Sequence, residues 1–251
     1  VFYYAMEYAD GLSLEELVRN DGPQPAARVV HILHQAAGAL SEAHRLGLIH
    51  RDVKPANILL CERGGVPDTV KVVDFGLVKE IATESDVQVT QANTITGTPS
   101  YLAPEMITTP NDVDGRADLY ALGAVGYFML TGEPVFDGAT VVEVCGHHLH
   151  SKPEPPSQRR GEPIDEDLER LVLTCLAKRK EDRSSSARAL EGELARLAKK
   201  HPWSTDEAQG WWLRWRREHP AQASTSMTNG SFNISTRRTK KRTASAPSIT
   251  R

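Results

Sequence analysis

Between residues 25 and 46, apolar side chains return at Val29, Ile32, Leu33, Ala36, Ala37, Leu40 and Ala43, which is the spacing of one helical face. A shorter helix is predicted just before it. Ser13 and Glu16 stand three apart as a capping box, and Asp21-Gly22-Pro23 ends the run. Gly47 sits where the long helix must stop. Residues 119–130 are apolar on every face, which predicts a buried helix. Residues 165–178 and 185–200 read as two amphipathic helices. Strand signals are fewer. Residues 1–8 are aromatic and β-branched until Asp10-Gly11 breaks them, and residues 58–60 and 70–73 read as short strands around a Gly64-Gly65 turn. Ser204 and Glu207 form a second capping box, followed by Trp211, Trp212, Leu213 and Trp215. That pattern predicts a short extension helix that packs its tryptophans on the preceding domain. Arg214, Arg216 and Arg217 interleave, so a partner or membrane-surface role is the alternative. From residue 221 onward Ser, Thr and Asn dominate, and disorder is expected.

Composition changes this picture little. The chain has 251 residues, 39% hydrophobic and 25% charged, enough for one large domain or two small ones. The formal net charge of -3 points to no nucleic-acid partner. Charge is nevertheless uneven. Residues 219–251 hold Arg237, Arg238, Lys240, Lys241, Arg242 and Arg251 with no Asp or Glu. This basic tail suits an acidic protein surface or anionic lipid, or a solvated linker toward a membrane tether in a longer parent protein. Cys61, Cys145 and Cys175 are scattered, so a disulfide framework is not expected and a reducing, cytoplasmic setting fits. No apolar run reaches bilayer length. Cys145, His147, His148 and His150 are spaced too tightly for one tetrahedral metal site on a regular helix.

The candidate chemistry lies between the predicted elements. His50-Arg51-Asp52-Val53-Lys54-Pro55-Ala56-Asn57 precedes one short strand, Asp74-Phe75-Gly76 follows the next, and Ala103-Pro104-Glu105 comes later. A lone Asp in a loop is usually a turn residue. Three ordered motifs, the first two each beside an apolar run, are not explained that way. Together they resemble the catalytic loop, metal-binding turn and activation-segment end of a eukaryotic-like, bacterial-type Ser/Thr protein kinase. The resemblance covers roughly residues 1–200.

The resemblance implies an α+β, protein-kinase-like fold: a mostly helical large lobe with short β-hairpins at the catalytic loop and the small lobe largely missing. It implies a kinase lobe over residues 1–200 with a hinge strand at its start, a Trp-rich extension over 201–219 and a basic tail over 220–251. The implied cofactors are ATP and Mg²⁺, and the implied substrates are proteins bearing Ser or Thr. Asp52 would accept the hydroxyl proton, and Lys54 would face the migrating phosphoryl group. Asn57 and Asp74 would supply hard oxygen ligands to the metal. Met6 would be the gatekeeper, the backbone of Glu7 and Ala9 would meet the adenine edge, and Leu59 would floor it. Arg51 would pair with a phosphate on the activation segment, at Thr94 or alternatively Thr90 or Thr96. Thr98 would bond Asp52 and Lys54. Asp118 would anchor the catalytic loop, and Arg183 would pair with Glu105. Lys54 favours Ser/Thr over Tyr specificity.

A Gly-rich phosphate loop, a small-lobe lysine and a helix-borne glutamate are all lacking, and the first residue is Val1 inside a strand pattern. These features predict a fragment with little or no activity in isolation. They also raise a second reading, a non-catalytic binding module, against which Asp52, Asn57 and Asp74 are all intact.

Overall fold

The computed structural model describes residues 11–75 and 99–219. Met6, Glu7, Ala9, Thr90, Thr94, Thr96 and Thr98 lie outside them, as do the expected strand at residues 1–8 and the tail from residue 220. The chain divides into two units. One spans residues 9–212; the other joins residues 1–8 to 213–251.

The first unit opens with strand β1 (Gly11–Ser13) and helix α1 (Leu14–Asp21). Ser13 caps α1 as expected: its hydroxyl accepts from the Glu16 N–H at 3.2 Å, and its own N–H donates to the Glu16 carboxylate at 3.0 Å. Gly22, at φ 74°, ends the helix. The long helix α2 (Ala26–Arg45) buries all seven of the apolar positions read from its period. Gly47 follows it in the left-handed region, at φ 78°.

Strands β2 (Ile58–Arg63) and β3 (Val66–Val72) form the expected hairpin, longer than the sequence pattern suggested. Gly64 and Gly65 turn it at φ 58° and 80°, which suits a two-residue hairpin loop. The sheet order is β1-β2-β3, antiparallel throughout. Gly11 therefore starts a strand that the sequence reading did not include; the strand over residues 1–8, expected to break there, lies outside the described residues. Gly11 pairs with Cys61, and a Cβ there would lie 2.6 Å from the Cys61 Sγ and 2.7 Å from the Leu60 carbonyl oxygen. Cys61 pairs with Thr69 and Arg63 with Val66, so Pro67 and Asp68 oppose Glu62 in a β-bulge.

The helices that follow are α3 (Pro104–Thr108), α4 (Arg116–Thr131), α5 (Val141–His150), α6 (Pro156–Arg160), α7 (Glu166–Cys175) and α8 (Ala187–Lys200). Helix α4 is buried on nearly every face, as its all-round apolar sequence requires. α2, α7 and α6 pack on it, and α8 covers α2. Helix α9 (Thr205–Glu218) begins at the Ser204–Glu207 capping box. Trp211 and Trp212 meet edge to face at 5.3 Å. In the second unit, the rings of Trp215 and His219 stack at 3.7 Å. No helix among the described residues is long and apolar enough to cross a membrane.

Candidate active site

The loop from His50 to Asn57 joins α2 to β2, and three features fix its shape. Asp118, in the first turn of the buried helix α4, accepts from the His50 N–H at 2.9 Å and from the Arg51 N–H at 2.8 Å. His44, near the end of α2, adds a third bond to the same carboxylate at 2.7 Å. Arg51 stands at φ 63°, a left-handed conformation that costs a non-glycine residue about 1–3 kcal/mol and persists only where its surroundings impose it. Pro55–Asn57 form a 3-10 turn that delivers Asn57 to the start of β2.

Within the loop, the Lys54 ammonium donates to Asp52 Oδ2 at 2.8 Å. The Asn57 side-chain amide donates to the same Asp52 oxygen at 3.0 Å and to the Asp52 carbonyl at 2.8 Å. Both partners are acceptors, so the Asn57 amide nitrogen faces Asp52 and its oxygen faces the other way. The Asp52 side chain remains 45% exposed, so the carboxylate is reachable from solvent.

The same loop is tied to the end of β3. Val73 N–H donates to the Asn57 carbonyl at 2.9 Å. His50, fully buried, bonds the Val73 carbonyl through Nε2 at 2.9 Å, and its Nδ1 accepts from the Asp52 N–H at 3.3 Å. A carbonyl can only accept and an N–H can only donate, so the neutral imidazole carries its proton on Nε2. The ring also meets Phe75 at 4.5 Å. Asp74 lies between the two anchored residues Val73 and Phe75, at φ 59°, with its side chain exposed. Lys54 and Asn57 thus both bond Asp52, and Asp74 is the next residue after one bonded to Asn57. Leu59, half-buried in β2, pairs with Lys71 and Ser13.

The donor set fits a magnesium ion shared with a nucleotide. Among the described residues no three His, Cys, Asp or Glu side chains gather into a metal site. Asn57 offers one amide oxygen, and Asp74, just after β3, offers one exposed carboxylate. Mg²⁺ is held in this way, by one or two protein oxygens with substrate phosphates completing its shell.

A second ion pair braces the far side. Arg183 and Glu105 are buried, and the guanidinium forks onto the carboxylate at 2.6 and 2.9 Å. The same guanidinium donates to the carbonyls of Ala177, Arg116 and Lys178. Nearby, Lys178 donates to the carbonyls of His147 and His148 at the end of α5. Burial, and then the Arg183 charge, lower the Lys178 ammonium to about 8. Burial, with Lys178 beside it, lowers His148 to about 4. Its Nδ1 is 2.8 Å from the Tyr120 hydroxyl. Burial pushes Tyr120 and Tyr101 up.

Sequence reasoning missed His44 as a partner of Asp118, and it missed the buried pair of Arg28 and Asp68. Pro67, just ahead of the strand read at residues 70–73, was the available signal for the bulge that places Asp68.

The family described as the protein kinase domain matches residues 1–204. The serine/threonine-protein kinase PknB of Mycobacterium leprae is 42% identical over 200 residues, covering 80% of this chain and 31% of that protein. The serine/threonine-protein kinase pkn3 of Myxococcus xanthus is 40% identical over 199 residues, covering 78% and 36%. The chain therefore spans about a third of the length of these relatives. Among solved structures, the kinase domain of Mycobacterium tuberculosis PknI superposes with a TM-score of 0.57 at 30% identity, over 77% of this chain and 65% of that one. Rad53 in complex with AMP-PNP superposes at 0.61 with 27% identity, over 75% and 45%. Fold, loop geometry and sequence agree, and the chain belongs to the protein kinase domain family.

Proposed function

We propose that this chain is the large lobe of a Ser/Thr protein kinase, which transfers the γ-phosphoryl group of ATP to Ser or Thr hydroxyls of protein substrates. The observation that carries the reading is the bonded set Asp52, Lys54 and Asn57 on a loop anchored by Asp118. Asp52 accepts the proton of the incoming hydroxyl. Lys54, held against Asp52, neutralises charge that develops on the transferring group. Asn57, through its side-chain oxygen, and Asp74 hold Mg²⁺, whose contribution when bound is to neutralise phosphate charge. Leu59 floors the adenine; Met6, Glu7 and Ala9, expected at its edge by resemblance, lie outside the described residues. Thr98 positions the peptide loop against Asp52 and Lys54, and Thr94 carries the regulatory phosphate, read by Arg51. Asp118, and the pair Arg183–Glu105, support this machinery without touching the reacting atoms. The lobe works in the cytoplasm, in keeping with three buried cysteines scattered through the sequence. The basic tail over residues 220–251 serves as a tether toward a membrane or an acidic surface.

The test is transfer from radiolabelled ATP to Ser/Thr and Tyr peptides. It compares the chain by itself with the chain joined to a small lobe carrying a Gly-rich loop and its lysine. The joined protein labels Ser/Thr peptides and not Tyr peptides, the bare chain labels neither, and Asp52→Asn lowers the joined rate about 10²–10⁴-fold. Full activity of the Asp52→Asn protein would overturn the assignment.

A further inference from the structure

Asp68 belongs to none of these roles, yet it is fully buried and stands in the β3 bulge at φ 53°. Its carboxylate accepts a forked pair of bonds from Arg28, both at 2.9 Å. Two indoles complete it: Trp203 Nε1 donates to Oδ2 at 2.9 Å and Trp212 Nε1 to Oδ1 at 2.8 Å. A carboxylate offers about four acceptor sites, so the four donors saturate it. The Arg28 guanidinium lies 3.9 Å from the ring of Trp211, whose own N–H donates to Asp21 at 2.8 Å. The bulge is also held through its backbone. Gln35 donates to the Asp68 carbonyl at 2.9 Å and accepts from the Val70 N–H at 3.1 Å.

Both indoles come from the end of the domain. The family match stops at residue 204, between Trp203 and Trp212. The strand they grip leads to the active site: six residues after Asp68 comes Asp74. A bulge sets the register of its strand, and a slip of one residue turns every side chain to the opposite face. Arg28 supplies only half of the donors Asp68 needs. Without the indoles the other lone pairs would be stranded in a dry interior, a state that buried carboxylates avoid.

We propose that Trp203 and Trp212 are positioning residues for phosphoryl transfer: through Asp68 they pin the bulge of β3, and so fix where Asp74 is presented to the metal–nucleotide complex. This rests on the kinase reading given above. The extension past residue 204 is then a working part of the lobe and not a linker.

The test uses Trp203→Phe and Trp212→Phe in the full chain. Each keeps an aromatic ring and removes one N–H. Two readouts are taken: amide hydrogen exchange by segment, and titration with Mn²⁺ in the presence of a non-hydrolysable ATP analogue. In each variant, exchange across residues 69–73 rises about tenfold while that of α7 holds, and Mn²⁺ binds about three- to tenfold more weakly. Unchanged β3 exchange would overturn the proposal. So would a rise spread over the whole domain with unaltered Mn²⁺ binding, the outcome of a general structural staple. Should Trp212→Phe fail to fold, Trp203→Phe carries the same test. A joined protein, carrying its small lobe, that is inactive in the transfer assay would sink the kinase reading, whereas exchange and Mn²⁺ titration need no turnover and decide this proposal separately.

Discussion

Replacing Asp118 with Ala should loosen the catalytic loop without touching any reacting group. The carboxylate is 1% exposed and accepts two backbone N–H groups and the His44 ring. Hydrogen bonds to a charged partner contribute about 1.5–3 kcal/mol each, and an orphaned buried donor costs about 1–3 kcal/mol. The His50 N–H is buried, so it meets that penalty, while Arg51 is exposed and its N–H can find water. Removing the two backbone bonds also releases Arg51 from its left-handed conformation at φ 63°. That release returns about 1–3 kcal/mol, so the net loss should be about 2–5 kcal/mol. Urea unfolding followed by tryptophan fluorescence measures it, with Asp52→Asn as control. Asp52 is half-exposed, so the control should stay within about 0.5 kcal/mol of wild type. In the transfer assay of the joined protein both variants should be impaired, but only Asp118→Ala should also be unstable. An Asp118→Ala protein with unchanged stability would refute the idea that α4 holds the loop in place.

Three more expectations follow from the same geometry. Arg183→Lys cannot reproduce a fork with five donors in use, and breaking this buried pair should cost about 3–5 kcal/mol, measured by the same unfolding curves. Gly11→Ala drives a Cβ into the Cys61 Sγ and the Leu60 carbonyl, and thermal melting should report a loss of about 1–3 kcal/mol. His148 resists protonation until about pH 4, whereas in the unfolded chain it protonates near 6.5. The unfolded state therefore binds the proton first. The contribution is fully present above pH 6.5 and falls by about 3 kcal/mol on acidification to pH 4. His148→Asn should flatten that part of the stability–pH curve.

What could be read in the sequence was whatever repeats locally. The face of α2 follows from a 3.6-residue period, and the caps at Ser13 and Ser204 follow from a spacing of three. Gly64-Gly65 announced its hairpin. Asp118 and Arg183 were nameable through resemblance to a family, since nothing beside them in the chain marks their partners. Arg28 was missed because an arginine next to an apolar stripe reads as a solvent residue. Its partner Asp68 lies 40 positions away, and the indole of Trp212 lies a further 144 beyond Asp68. Polar pairs closed over such distances leave no period. The strand at Gly11–Ser13 was missed for a related reason. Glycine commonly interrupts strands, but here the missing side chain is what lets β1 lie against Cys61.

The proposed function requires that Asn57 and Asp74 offer oxygens to the same ion. A double-mutant cycle on Mn²⁺ binding, with a non-hydrolysable ATP analogue present, measures this directly. Asn57→Ala and Asp74→Ala should each weaken binding, and the double variant should be less impaired than the sum of the two, with a coupling of about 0.5–3 kcal/mol. Strict additivity, or a single variant that binds Mn²⁺ as wild type does, would mean that the two side chains do not share a metal.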